Sequence, residues 1–315
     1  MSTALRQAIL NLQIIVYLHH CAPIVTVVVV RANIGLGFEA SKLSAGMNPG
    51  RLILACRNEE KGKEAVLRES VVSELQTRLK RLQNDTDYSK AEPWIIDLAN
   101  FGSVTVFTDK CARELDQLDI LIENAGMSPF GRYDVVEDWE TFLHTNFGPG
   151  LLVIRLFPKM IETARRFGIH SRIVVVASDD ELVELPNILA KMSSKEYCTP
   201  EIMKRRYFDS KLLNVLFGWA FQQRLPPSTI AVNSVNPGFC VSNLRSSLHE
   251  VYQEADAKQE DELTEMGSRQ RMFSAVGGRT TRTSFEERAY RSRRTRFGRM
   301  GILEGVDPTV ADVTR

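Results

Sequence analysis

From Ile24 to Val235 short apolar runs alternate with longer amphipathic ones. Repeated strand–helix–strand units take this form when a parallel sheet is covered on both faces. The apolar runs predict strands over Ile24–Val30, Arg51–Cys56, Trp94–Asp97, Leu118–Glu123, Arg172–Ala177 and Thr229–Val235. Between them the spacing predicts helices over Leu36–Ala45, Glu59–Leu82, Phe101–Leu115, Trp139–Phe167 with a break at Gly148-Pro149-Gly150, and Arg205–Gln223. Six strands in this alternation make one α/β domain, a Rossmann-type doubly wound parallel sheet, over residues 24–250. Residues 179–200 form a long mixed loop after the fifth strand, where such sheets place substrates.

The two ends of the chain break the pattern. Ala8–Leu18 and Ala22–Val30 are apolar, but His19-His20 separates them and neither run is as long as a membrane span requires. Residues 1–23 are therefore read as a poorly specified leader before a buried strand, with a membrane anchor as the alternative. Residues 251–315 form an atypical charged tail without a seventh strand, and Arg279–Arg299 carries eight arginines against two glutamates. That stretch has the charge for nucleic acid but no recognisable binding motif, so no nucleic-acid partner is expected.

Composition narrows the classes further. A net charge of +1 over 315 residues gives no general attraction to polyanions or anionic membranes. The five cysteines, Cys21, Cys56, Cys111, Cys198 and Cys240, are scattered without a C-x-x-C pair. Neither a disulfide framework nor a zinc site is indicated, and the expected compartment is reducing, most simply the cytoplasm. The five histidines show no metal spacing and no Ser/His/Asp order, which leaves metalloenzyme and hydrolase readings without residues.

Candidate chemistry begins directly after the first strand, where Asn33-Ile34-Gly35-Leu36-Gly37 opens a helix. Glycines there let the backbone approach a pyrophosphate favoured by the helix N-terminus. The second strand ends in Ala55-Cys56-Arg57. A carboxylate at that end favours NAD, whereas Arg57 can pair with the 2′-phosphate of NADP(H). Asp97-Leu98 ends the third strand, placing a carboxylate either for an adenine amino group or for a helix cap. Tyr207 and Lys211 stand one turn apart on a predicted helix, so the ammonium can stabilise a phenolate and bring the tyrosine toward the range useful for proton transfer. Ser178 follows the fifth strand, where a hydroxyl can donate to a carbonyl oxygen, and Asn146 occupies a helix interior that asparagine disfavours.

Taken in order, these motifs, with Glu123-Asn124-Ala125-Gly126 and Pro237-Gly238, resemble the classical short-chain dehydrogenase/reductases, in particular the retinol-dehydrogenase-like branch with its many fungal biosynthetic reductases. The resemblance covers roughly residues 24–245. It implies Tyr207 as acid/base, Lys211 as ribose ligand and modulator of the tyrosine, Ser178 as carbonyl orienter and Asn146 as holder of a relay water. It also implies Asn124, Ala125 and Gly126 beside the cofactor, and Pro237, Gly238 and Ser242 near the nicotinamide. Three departures stand out. Arg31 occupies a turn position where the family has glycine, Glu123 replaces the first asparagine of Asn-Asn-Ala-Gly, and the tail does not look like the family's final helix and strand. The expected activity is NADP(H)-dependent hydride transfer to or from a carbonyl or alcohol carbon of a small molecule, without metal and with a homo-oligomer left open. Met127, Phe130, Leu182, Leu185, Ile188 and Met192 in the expected pocket loops suggest an apolar substrate. The alternative is a cofactor-binding scaffold of the same fold whose catalysis is impaired by Arg31 and the divergent tail.

Overall fold

Four consecutive valines, Val27–Val30, are stiff at χ1 and too apolar for a surface position, and they form the innermost strand. The computed structural model describes residues 25–57, 77, 79–127, 133–177, 189–225 and 230–237. Strand β1 (Thr26–Val30) is buried along its whole length. It is followed by α1 (Gly35–Gly46), β2 (Arg51–Cys56), β3 (Ala91–Ile95), α2 (Phe101–Glu114) and β4 (Ile120–Glu123). After a two-residue ribbon, β5 (Val135–Val136) with β6 (Trp139–Glu140), come α3 (Thr141–Phe167), β7 (Ser171–Val176), the short α4 (Leu189–Ser193), α5 (Pro200–Arg224) and β8 (Ile230–Val235).

The six long strands form one sheet in the order β3-β2-β1-β4-β7-β8, parallel throughout. The order reverses beside β1, so a crevice opens at the carboxyl ends of β1 and β4, the position where doubly wound sheets bind ligands. Alternating side chains divide the core between the faces. Val28, Val30, Leu121, Ile173 and Val175 pack with α2, α3 and α5 through Phe107, Leu152, Val153 and Phe217. Val27, Val29, Leu54, Ile122 and Val174 pack on the opposite side with Phe38, Ala40 and Leu82. All described residues fall within one compact unit. The leader, most of the predicted Glu59–Leu82 helix and the segment 251–315 lie outside them.

Five predicted strands match within two residues at each end, whereas the third strand and α3 differ from the expectation, as does the start of α5. The third strand starts at Ala91 rather than Trp94. Pro93 lies inside it, which is tolerated because β3 is the sheet edge and needs no N–H on its outer side. The helix expected to break at Gly148-Pro149-Gly150 runs unbroken from Thr141 to Phe167, and ends on Gly168 at φ 64°. All three residues are buried, and a Cβ at Gly148 would lie 3.0 Å from the Leu98 carbonyl oxygen. The glycine is a contact point for the β3–α2 connection, and packing on both sides offsets the backbone hydrogen bond that Pro149 removes. Among the described residues no helix is long and apolar enough to cross a membrane.

Candidate active site

The turn from β1 into α1 forms one wall of the crevice. Gly35 takes φ 51°, which glycine adopts at no steric cost. Ile34, the N-cap of α1, contributes no side-chain cap, and the first turn holds no carboxylate, so the positive end of the helix is not neutralised from within. A Cβ at Gly37 would run into the Arg31 carbonyl and the Asn124 side-chain amide, so only glycine lets α1 approach the strand ends this closely. Asn124 Nδ2 donates to the Arg31 carbonyl at 3.3 Å and ties the ends of β1 and β4 together. These features fit a dinucleotide phosphate. Arg31 does not fit it as readily. It takes the left-handed φ of 54°, and its guanidinium donates to the Gly126 carbonyl, so the side chain reaches from the β1 turn to the segment after β4.

Arg57 is exposed just past the end of β2. Asp97 is not the cap of α2; Asn100 is, accepting from Ser103 N at 2.7 Å. The Asp97 carboxylate instead accepts from Ala99 N at 3.0 Å and shapes the loop in which Leu98 is buried.

Helix α5 brings the predicted pair into the crevice. It begins five residues before the expected Arg205, because Thr199 accepts from Ile202 N and Pro200 presets the first turn. Lys211 is 2% exposed, and its ammonium donates to the carbonyls of Ala125 at 2.9 Å and Val176 at 3.0 Å. It thereby bridges the ends of β4 and β7. The same Nζ lies 5.8 Å from the centroid of the half-buried Tyr207 ring. A Cβ at Gly126 would sit 3.1 Å from Lys211 Nζ and 3.8 Å from Tyr207 Cε2, so the Asn124-Ala125-Gly126 segment forms the floor under both side chains.

Asn146, fully buried, is engaged on every side. Its Oδ1 accepts from Met127 N at 2.7 Å, and its Nδ2 donates to Met127 O and to Ser210 Oγ, both at 2.9 Å. Ser210 Oγ donates in turn to the Tyr207 carbonyl at 2.6 Å, and Asn214 Nδ2 donates to the Asn146 carbonyl at 3.0 Å. The poor helix former of α3 thus fastens α5 to the loop after β4. Sequence reasoning missed Ser210 and Asn214, each three residues beyond a member of the Tyr207/Lys211 pair and so within one helical turn of it.

Buried titratable side chains flank the pair. Glu123, at the end of β4, is 1% exposed, and neither carboxylate oxygen has a hydrogen-bond partner. Burial pushes its carboxyl up to about 8, against the pull of the Lys211 charge. Arg206, immediately before Tyr207, is 0% exposed and lies 3.3 Å from Glu140, also 0% exposed. Glu140 accepts from Phe142 N and Leu143 N at the start of α3, while Arg206 donates to Met192 O at 2.7 Å. Met192, expected in the substrate pocket, is itself fully buried against this group.

Pro237 is half-buried just past β8. Ser178, Gly238 and Ser242 lie outside the described residues, as do Phe130, Leu182, Leu185 and Ile188. Cys56, Cys111 and Cys198 are buried and not joined in disulfides. No group of three or more metal-ligating side chains occurs among the described residues.

Residues 26–253 match the family model described as short chain dehydrogenase. The short chain dehydrogenase sol3 of Alternaria solani is 32% identical over 230 residues, 70% of this chain and 73% of that protein. The WW domain-containing oxidoreductase of Gallus gallus is 31% identical over 234 residues, 71% of this chain but only 50% of its own. Among solved structures, the RhlG/NADP active-site complex of Pseudomonas aeruginosa aligns with a TM-score of 0.57 at 15% identity, covering 82% of this chain and 91% of that one. A metagenomic short-chain oxidoreductase in complex with NADP aligns with a TM-score of 0.51 at 18% identity, covering 75% and 93%. At such identities the structures speak to the fold.

Proposed function

The chain belongs to the short chain dehydrogenase family, and from that premise we propose an NADP(H)-dependent oxidoreductase acting on a carbonyl or alcohol carbon of an apolar small molecule. The observation that carries the reading is the Lys211 ammonium, held between the Ala125 and Val176 carbonyls beside the Tyr207 ring at the carboxyl ends of β4 and β7. The cofactor supplies or accepts the hydride. Tyr207 passes a proton to the oxygen on which negative charge develops, and the ammonium stabilises the phenolate left behind. Ser178 would orient that oxygen. Asn146 keeps α5 in register with the cofactor-side loop, and its proposed relay water would sit near the carbonyl that Asn214 now engages. The 32% identity to the short chain dehydrogenase sol3 of Alternaria solani supports the oxidoreductase class, and a fungal biosynthetic role in the cytoplasm is the finer reading we propose. A scan of NADPH oxidation by the purified protein against a panel of aldehydes and ketones tests the reading. Turnover with none of them would count against it.

NADP(H) is preferred over NAD(H) because Arg57 stands where a ribose-binding carboxylate would otherwise repel the 2′-phosphate. Arg57→Ala is expected to weaken NADPH by about 1.5–3 kcal/mol, roughly ten- to a hundredfold in Kd, and NADH hardly at all. Titration of both cofactors against both proteins decides it, and equal preference in the two would remove Arg57 from the site.

A second reading, a cofactor-binding scaffold with impaired catalysis, is favoured by one observation: the Arg31 side chain bonded across to the Gly126 carbonyl. Arginine in the left-handed region costs about 1–2 kcal/mol, whereas glycine adopts it freely. Arg31→Gly is therefore expected to raise both the thermal midpoint and the NADPH affinity. Weaker NADPH binding in this variant would mean that Arg31 turns to pair with a cofactor phosphate instead.

A further inference from the structure

The buried carboxyl of Glu123 has no place in the chemistry described so far. Carboxylates are almost never fully buried without a partner, because desolvation disfavours the charge and each unpaired oxygen forfeits its hydrogen bonds with water. Glu123 is buried with both oxygens unpartnered. Its place in the sheet gives a reason. Glu123 shares a face with Leu121, the face covered by α5, and its register partner on β7 is Val175. Each strand continues into a carbonyl that holds Lys211, Ala125 after β4 and Val176 on β7. The carboxyl therefore lies one layer below the ammonium, and the Lys211 charge acts on it. Among the described residues, the titratable groups past the carboxyl ends of the strands include Arg31 after β1, Arg57 after β2 and Asp97 after β3, with Lys211 and Tyr207 on α5. The strand positions beside Glu123, Val175 and the end of β1 at Val30, are apolar.

We infer that Glu123 is a positioning residue for proton transfer: its protonation state sets how much of the Lys211 charge is available to stabilise the Tyr207 phenolate. This rests on the role proposed for Tyr207. With the proton on, the carboxyl is neutral and the ammonium acts on the tyrosine undiminished. When the proton leaves to solvent, two anions share one cation and the phenolate is less favoured. Burial places this change near pH 8, so loss of the Glu123 proton opposes ionisation of Tyr207 in the alkaline range. The two groups then titrate as a coupled pair.

Glu123→Gln keeps the shape and removes the charge. The tyrosine ionisation, read as the phenolate absorbance that disappears in Tyr207→Phe, is expected to move to lower pH by about one unit and to sharpen into a single step. This needs no substrate, so it decides the inference even if no carbonyl compound is turned over. Where turnover is measured, the pH limb of kcat/KM for alcohol oxidation should move in the same direction. Should the glutamine variant not fold, Glu123→Asn replaces it. In the wild-type protein the infrared band of a protonated carboxylic acid should persist at neutral pH and bleach on alkalinisation. A phenolate titration unmoved in a folded variant, or no such band in the wild type, overturns the inference.

Discussion

Tyr207→Phe is expected to leave the fold and NADPH affinity close to wild type and to lower hydride-transfer turnover by about 10²- to 10⁴-fold, the usual worth of a positioned general acid. Phenylalanine keeps the ring that packs over the Gly126 segment and beside Phe208, with centroids 5.6 Å apart. Only the hydroxyl is lost. Lys211→Ala should differ in kind. It removes the ammonium that faces the ring and also leaves the carbonyls of Ala125 and Val176 without the donor that joins them. Its loss of rate should come with a lower thermal midpoint and weaker cofactor binding. Turnover and NADPH affinity of both variants, on any carbonyl compound the wild type reduces, test this. Near wild-type turnover in Tyr207→Phe would discard the proton-transfer role.

The second large effect concerns stability. Arg206→Met should destabilise the protein by about 3–5 kcal/mol, the typical cost of removing one partner of a buried ion pair. Methionine fills comparable volume but strands the Glu140 carboxylate at 0% exposure and removes the Arg206 donor from the Met192 carbonyl, which keeps only the weaker Cys198 thiol. Burial already pushes the Glu140 carboxyl up, while the Phe142 and Leu143 amides and the Arg206 charge hold it down. Replacing both partners, Glu140→Gln with Arg206→Met, should recover part of the loss, since no charge then remains unpaired. Denaturant unfolding of the wild type and these two variants measures it. A single variant as stable as wild type would show that the pair contributes nothing.

How much of this was legible beforehand depended on whether the signal was local. The central strands were readable because β-branched runs such as Val27–Val30 suit few other environments. The start of β3 was hidden by Pro93, acceptable only because topology makes that strand an edge. The continuity of α3 through Gly148-Pro149-Gly150 depends on Leu98 and Phe217 lying against those residues, and no local rule carries that information. The start of α5 had a readable signal, Thr199 before Pro200, which the charged stretch after it obscured. Tyr207 and Lys211 were found through spacing and resemblance. Glu123 is visible in the sequence as a substitution, but that its side chain is sealed without a partner follows only from how the sheet and α5 close over it.

The two hydrogen bonds from Lys211 to two strand ends also bear on how activity is lost on heating. The ammonium reaches its station only when β4, β7 and α5 are all assembled, so the reactive geometry cannot outlive the tertiary structure or precede it during refolding. Inactivation and melting should then be one cooperative event, and residual turnover becomes a direct count of native molecules.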